Sequence, residues 1–179
     1  MSDDARAINH RLEKVDASEL KTPWNIHYAS YEPERQFSKW LIHYSELFDS
    51  FVRMPDRGFY SFPYSYKPSK AARTHVKNEN FNPDFFIRLR DSNNVLIIEI
   101  KGEEDRDPNR SAAKFRDGKR HFATLNEKLA ADGKSWKYHF LFISPTDFTK
   151  FFEVLKEGGL PAVTDWYSSL MQKLEAATA

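Results

Sequence analysis

The sequence predicts an α/β or α+β sandwich, a mixed sheet of about four strands covered by helices in the order helix, three strands, helix, strand, helix. Three observations carry this reading. Apolar residues recur at helical spacing between residues 34 and 51, two apolar runs are divided by Asp91-Ser92-Asn93, and a long helical stretch over 111–131 leads into another apolar run at 136–143. The 179 residues fit one ordinary domain, and 40% hydrophobic residues with 15 Phe, 8 Tyr and 4 Trp can build its core.

Residues 1–30 mix charge with few periodic apolar positions and contain Pro23, so they read as a lead-in with one short helix, ahead of a single domain over 31–179. Phe37, Trp40, Leu41, Tyr44, Leu47, Phe48 and Phe51 then repeat at three and four, which predicts one helix closed by Pro55 and Gly58. Phe59, Tyr60, Phe62, Tyr64 and Tyr66 suit an aromatic strand, with Pro63 arguing for an edge or a bulge. A polar loop is expected over 69–80. The runs 81–90 and 94–101 read as an antiparallel hairpin with a short turn, followed by a loop over 102–109. Helix 111–131 has Gly118 as its weak point and Gly133 as its end. Strand 136–143 and helices over 146–155 and 165–176 complete the order, and the strand reached through the long helix should join in parallel by a right-handed crossover.

Composition narrows the chemistry. Cysteine is absent, which excludes disulfides, thiolate zinc sites and a cysteine nucleophile. The longest apolar runs fall far short of a membrane span, and the first residues lack a secretory pattern, so no membrane partner and a cytoplasmic location are expected. A net charge of +1 makes no global case for nucleic acid. The histidines at 10, 27, 43, 75, 121 and 139 form no pair at metal-ligand spacing, no Gly-x-Ser-x-Gly or dinucleotide fingerprint occurs, and no internal repeat is present.

The residues that carry chemistry sit on the hairpin. Pro83-Asp84 lies at the start of its first strand and Glu99-Ile100-Lys101 ends the second. Alternation puts Glu99 and Lys101 on one face, and a turn near 91–93 could return Asp84 to the same region. Two carboxylates and an ammonium then converge. Such oxygen ligands suit Mg²⁺, with the Ile100 backbone carbonyl as a further ligand and Mn²⁺ expected to substitute. The pattern suits phosphodiester hydrolysis, in which Lys101 would orient the attacking water. Acid-x-Lys occurs four times in the chain, but 19–21, 117–119 and 132–134 do not follow an apolar strand. The alternative use of these residues is a turn-capping Asp84 beside a solvated Glu99–Lys101 face. The unbroken apolar run 95–98 argues against it, because a strand apolar on both faces should be internal and charges at its end then need partners.

Phe-Asn-Pro-Asp-Phe-Phe-Ile-Arg-Leu followed by Val-Leu-Ile-Ile-Glu-Ile-Lys-Gly resembles the PD-(D/E)XK nuclease superfamily, most of all the C-terminal endonuclease domain of type III restriction enzyme Res subunits. The resemblance spans roughly residues 34–144 and implies a restriction-endonuclease-like core of order αβββαβ. It implies a Mg²⁺-dependent endonuclease for double-stranded DNA, with Asp84 and Glu99 as metal ligands, Lys101 serving the water, and Glu34 on the first helix adding a ligand, ahead of Glu32 and Glu46. It also implies an ATP-dependent translocase and a methyltransferase subunit as partners. No phosphate-binding loop of a translocase is present, since Lys128 stands where the first glycine before Gly133-Lys134-Ser135 would be required. Two basic segments would contact DNA phosphates: Lys67, Lys70, Arg73 and Lys77, with His75, and Arg110, Lys114, Lys119 and Arg120, with Arg116 and His121. An inactive nucleic-acid-binding or assembly module, or a repair or recombination nuclease, are the alternatives on the same fold.

Overall fold

The computed structural model describes residues 12–14, 21–23, 26–29, 31–55, 59–68, 75–101 and 107–167. In the lead-in, where a short helix is expected, the described elements are two strands, β1 (Leu12–Lys14) and β2 (Ile26–Tyr28), paired antiparallel. Between them the backbone of Lys21 bridges in parallel to Ser50: Lys21 N–H donates to Asp49 O at 3.1 Å and Phe51 N–H to Lys21 O at 3.0 Å.

Helix α1 (Glu32–His43) has Pro33 in its first turn, where the missing N–H costs nothing, and buries Phe37, Ser38 and Leu41. It does not run on to Phe51. A 3₁₀ turn (Ser45–Leu47) follows, and then strand β3 (Phe48–Arg53). The reason is a β-bulge. Phe48 pairs with Leu89 and Ser50 with Arg88, so Asp49 is an extra residue and Phe48 and Phe51 both face the core although three positions apart. Spacing of three mimics a helix when a bulge interrupts the alternation of a strand.

The aromatic strand is β4 (Phe62–Tyr66), but it does not enter the main sheet. Its partner is β5 (Lys77–Phe81), in register from Phe62↔Phe81 to Tyr66↔Lys77, a two-stranded antiparallel sheet where the sequence suggests a loop. Only Phe81 of β5 is buried, so the strand has the polar composition of a loop. Residues 69–74 lie outside the described ones.

The hairpin forms as expected, though its first strand starts later: β6 (Phe85–Leu89) and β7 (Asn94–Ile100) pair antiparallel, with Phe85 opposite Ile98, and Asp91 takes φ 50° in the turn. Aspartate tolerates that conformation better than most side chains. Helix α2 (Pro108–Ala131) begins three residues before the apolar pattern because Pro108 opens it and the Asp107 side chain accepts the Arg110 N–H. Gly133 at φ 67° closes it. Strand β8 (Lys137–Ile143) lies parallel to β7, giving the sheet order β3-β6-β7-β8 with β7 internal. Helix α3 (Phe148–Trp166) is two helical segments, as expected in number, but they meet at Gly159, whose φ 64° and ψ −159° break the helix ahead of Pro161, so the second segment starts earlier than residue 165. Residues 168–176 of the expected last helix lie outside the described ones.

The register sorts the core into two layers. Phe85, Ile98 and Leu141 lie side by side on one face of the sheet; Phe86, Ile97 and Phe140 share the other. On the first face Phe37 of α1 lies 5.1 Å from Phe85 and 5.1 Å from Phe148 of α3, ring centre to ring centre. On the second, Phe122 of α2 lies 5.5 Å from Phe140, and Phe81 of the small sheet 5.8 Å from Phe140. At the outer edge of β8 the Phe142 N–H donates to the Tyr167 hydroxyl. No described helix is long and apolar enough to cross a membrane.

Gly118 is explained by proximity: a Cβ there would lie 2.4 Å from Cε1 of Phe140, whose ring is packed among Phe81, Phe115, Phe122 and Phe142. Gly118→Ala is therefore expected to lower stability by about 1–3 kcal/mol through overpacking. That outweighs the helix-propensity gain of up to about 1 kcal/mol, and the urea midpoint of unfolding measures it.

Candidate active site

The predicted acids meet at one end of the main sheet, where β3 and β7 finish and β6 begins. Met54 N–H donates to Asp84 O at 2.8 Å and Asp84 N–H to Ile98 O at 3.0 Å, so pairing on both flanks continues one residue beyond β6 and fixes the Asp84 backbone. Counting back from Phe86 and forward from Ile97, Asp84 and Glu99 fall on the α2 face of the sheet. The Asp84 side chain is held as well, its Oδ2 accepting the Ile100 N–H at 2.6 Å. Glu99 is only 8% exposed. Its Oε1 accepts from Lys114 Nζ of α2 at 2.7 Å, and its Oε2 is buried without a hydrogen-bond partner. Glu34, in the first turn of α1, accepts from Arg53 of β3 through Oε2, at 2.7 Å from Nε and 2.5 Å from Nη2.

Burial dominates the electrostatics of both acids. Burial pushes the Asp84 carboxyl well above its usual range, and the negative charges of Glu99 and Glu34 push it further, against the opposing Ile100 N–H and Lys114. The Glu99 carboxyl is also raised by burial, with Lys114 pulling the other way through its charge and its hydrogen bond, Glu34 adding repulsion, and the neighbouring Asp84 carboxyl lowering it. Three carboxylates from separate elements thus feel one another. That juxtaposition is costly to folding and useful for holding a cation.

Lys101 follows β7 directly. Its backbone N–H donates to Ile143 O at 2.9 Å, which continues the β7–β8 ladder and, by alternation, gives its side chain the face of Glu99. Glu32 is exposed and ion-paired with Arg35, and Glu46 reaches Lys156 at 3.9 Å, so neither joins the acids. The donor set is entirely oxygen, and Glu99 Oε2 is a buried atom in want of a partner; both suit a hard divalent cation such as Mg²⁺, which needs one or two carboxylates. Among the described residues no group of three or more His, Asp or Glu side chains is arranged to hold a metal ion.

The basic residues separate into kinds. Arg110 is braced by Tyr64 Oη at 2.9 Å and Glu79 Oε2 at 2.7 Å, and Arg120 pairs with the buried Asp117 at 3.1 Å. Lys67, Lys77 and Lys119 are exposed. Lys70 and Arg73 lie outside the described residues. Lys114 points inward to Glu99. Sequence reasoning missed this inward role, and it missed Arg53 altogether. The apolar spacing up to Phe51 places Arg53 near the end of a helix, which hides its alignment with Glu34. Lys114 left a faint signal, one helical turn before Gly118 on the face that meets the sheet.

Because folding raises the Asp84 carboxyl, the folded chain gives up that proton at a higher pH than the unfolded chain does. The associated stability is fully present below the ordinary carboxylate range and is lost as pH rises through the raised value. Asp84→Asn keeps an acceptor for the Ile100 N–H and cannot ionise. In EDTA at neutral pH it is expected to raise Tm by about 2–4 °C, equivalent to about 1 kcal/mol in a chain of this size, and the gap should close on acidification. No protein-family model, curated protein or solved structure matches the chain.

Proposed function

We propose that this chain is a Mg²⁺-dependent endonuclease that hydrolyses phosphodiester bonds of double-stranded DNA, on a restriction-endonuclease-like core of the kind found in type III restriction enzymes. The observation that carries the reading is the pairing of Asp84 and Glu99 at adjoining strand ends, both carboxyls raised by burial, with Glu99 Oε2 buried and unpartnered. Asp84, Glu99 and the Ile100 carbonyl would hold the ion, and Glu34 would add a ligand or hold a bound water. When bound, the ion supplies offsetting charge for the phosphoryl oxygens and a water of lowered pKa. Lys101 orients that water and faces the charge that builds in the transition state. The braced Arg110 and the exposed Lys67, Lys77 and Lys119 supply sequence-independent phosphate contacts, which position a duplex without reading it. A cytoplasmic setting and an ATP-dependent translocase and methyltransferase as partners belong to the same proposal.

A second reading, a nucleic-acid-binding module without catalysis, is favoured by one observation: Lys114 and Arg53 already occupy Glu99 and Glu34 as purely structural ion pairs would. It predicts DNA binding that weakens with salt and ignores metal. Plasmid cleavage decides between them. Cutting should require Mg²⁺ or Mn²⁺, stop in EDTA, and fall by about 10²–10⁴-fold in Asp84→Ala and in Lys101→Ala. Undiminished cutting by either variant would remove the nuclease assignment.

A further inference from the structure

Lys114 is the cation paired with Glu99. It reaches from α2 across the α2 face of the sheet, its Nζ 2.7 Å from Glu99 Oε1 and 4.7 Å from the centre of the Phe81 ring. The side chain of Lys114 is 23% exposed and that of Glu99 11%, so the pair is largely shielded from solvent. Water screens such a pair weakly, and an ammonium there opposes the arrival of any second positive charge at Glu99. A metal ion that takes Glu99 as a ligand must therefore compete with Lys114 for one carboxylate.

The Lys114 ammonium also lies over the ring of Phe81 of β5, and one turn earlier on α2 Arg110 is bonded to Tyr64 and Glu79 of the same two-stranded sheet. From these contacts we infer that Lys114 is a resident competitor for the metal position: its ammonium stands in for the cation at Glu99 when no ion is bound and is displaced from Glu99 when one binds. The inference rests on the metal-site reading above and assigns Lys114 a part in it that differs from a DNA phosphate contact. Lys114 is a positioning residue in this scheme, acting through Glu99. It keeps Glu99 in place without metal and sets the metal concentration at which the site fills.

Calorimetry with Mn²⁺ and thermal unfolding in EDTA test the competition on the full chain. Lys114→Gln retains a donor toward Glu99 Oε1 and removes the charge; Lys114→Arg keeps the charge. Lys114→Gln should bind Mn²⁺ about tenfold more tightly than the wild type, unfold at a lower temperature in EDTA, and gain more in Tm from added Mn²⁺. Lys114→Arg should stay close to the wild type in all three. Unchanged or weaker Mn²⁺ binding by Lys114→Gln, with wild-type binding intact and lost in Asp84→Ala, overturns the competition while leaving the metal site standing. Failure of both the wild type and Lys114→Gln to bind Mn²⁺ overturns the metal site and the competition together. Should Lys114→Gln not fold in EDTA, recovery of a folded chain on adding Mn²⁺ supports the competition, and failure to recover overturns it.

Discussion

The pairing of β6 with β7 is the constraint on which the rest of the molecule turns. Asp84 and Glu99 lie fifteen positions apart in the chain, and only one register brings them together: Asp84 N–H on Ile98 O, and Ile100 N–H on Asp84 Oδ2. A slip of one residue would send Glu99 to the opposite face, among Phe85, Leu141 and the phenylalanines of α1 and α3. The apolar run 95–98 prevents it. Those residues are buried on both faces, so each has a fixed set of neighbours, and the bulk of the core holds the acids in register.

That arrangement sets two demands against each other. The buried core of β7 and β8 favours folding, whereas the acids at its end oppose it, because Asp84 and Glu99 lose water and the charge of Glu99 pushes the Asp84 carboxyl up. Lys114 and Arg53 offset part of the cost, each with a hydrogen-bonded carboxylate.

The parts legible in the sequence were those written in local pattern. The hairpin, the long helix and β8 each carry their own periodicity, and Asp84, Glu99 and Lys101 stand out because each lies in or beside an apolar strand. Where the pattern was ambiguous the reading failed for physical reasons. The bulge at Asp49 gave β3 the spacing of a helix, and a strand with one buried residue, Lys77–Phe81, looked like a loop. The order αβββαβ holds for the main sheet, but its first strand is β3 and not the aromatic segment, which lies in its own small sheet on the α2 side. Arg53 and the inward turn of Lys114 belong to contacts between distant elements, and no short window of sequence contains both partners.

Tyr167 and Lys21 have one more effect. The main sheet ends in β3 on one side and β8 on the other, and strands in those places usually carry open amides that invite a foreign strand. Here the Phe142 amide is spent on a phenol from the end of α3, and the Phe51 amide on the carbonyl of Lys21. Each border of the main sheet thus has a backbone group taken up by a distant part of the same chain, which leaves less of each edge open to a foreign strand although the strands between are rich in Val, Ile and Phe.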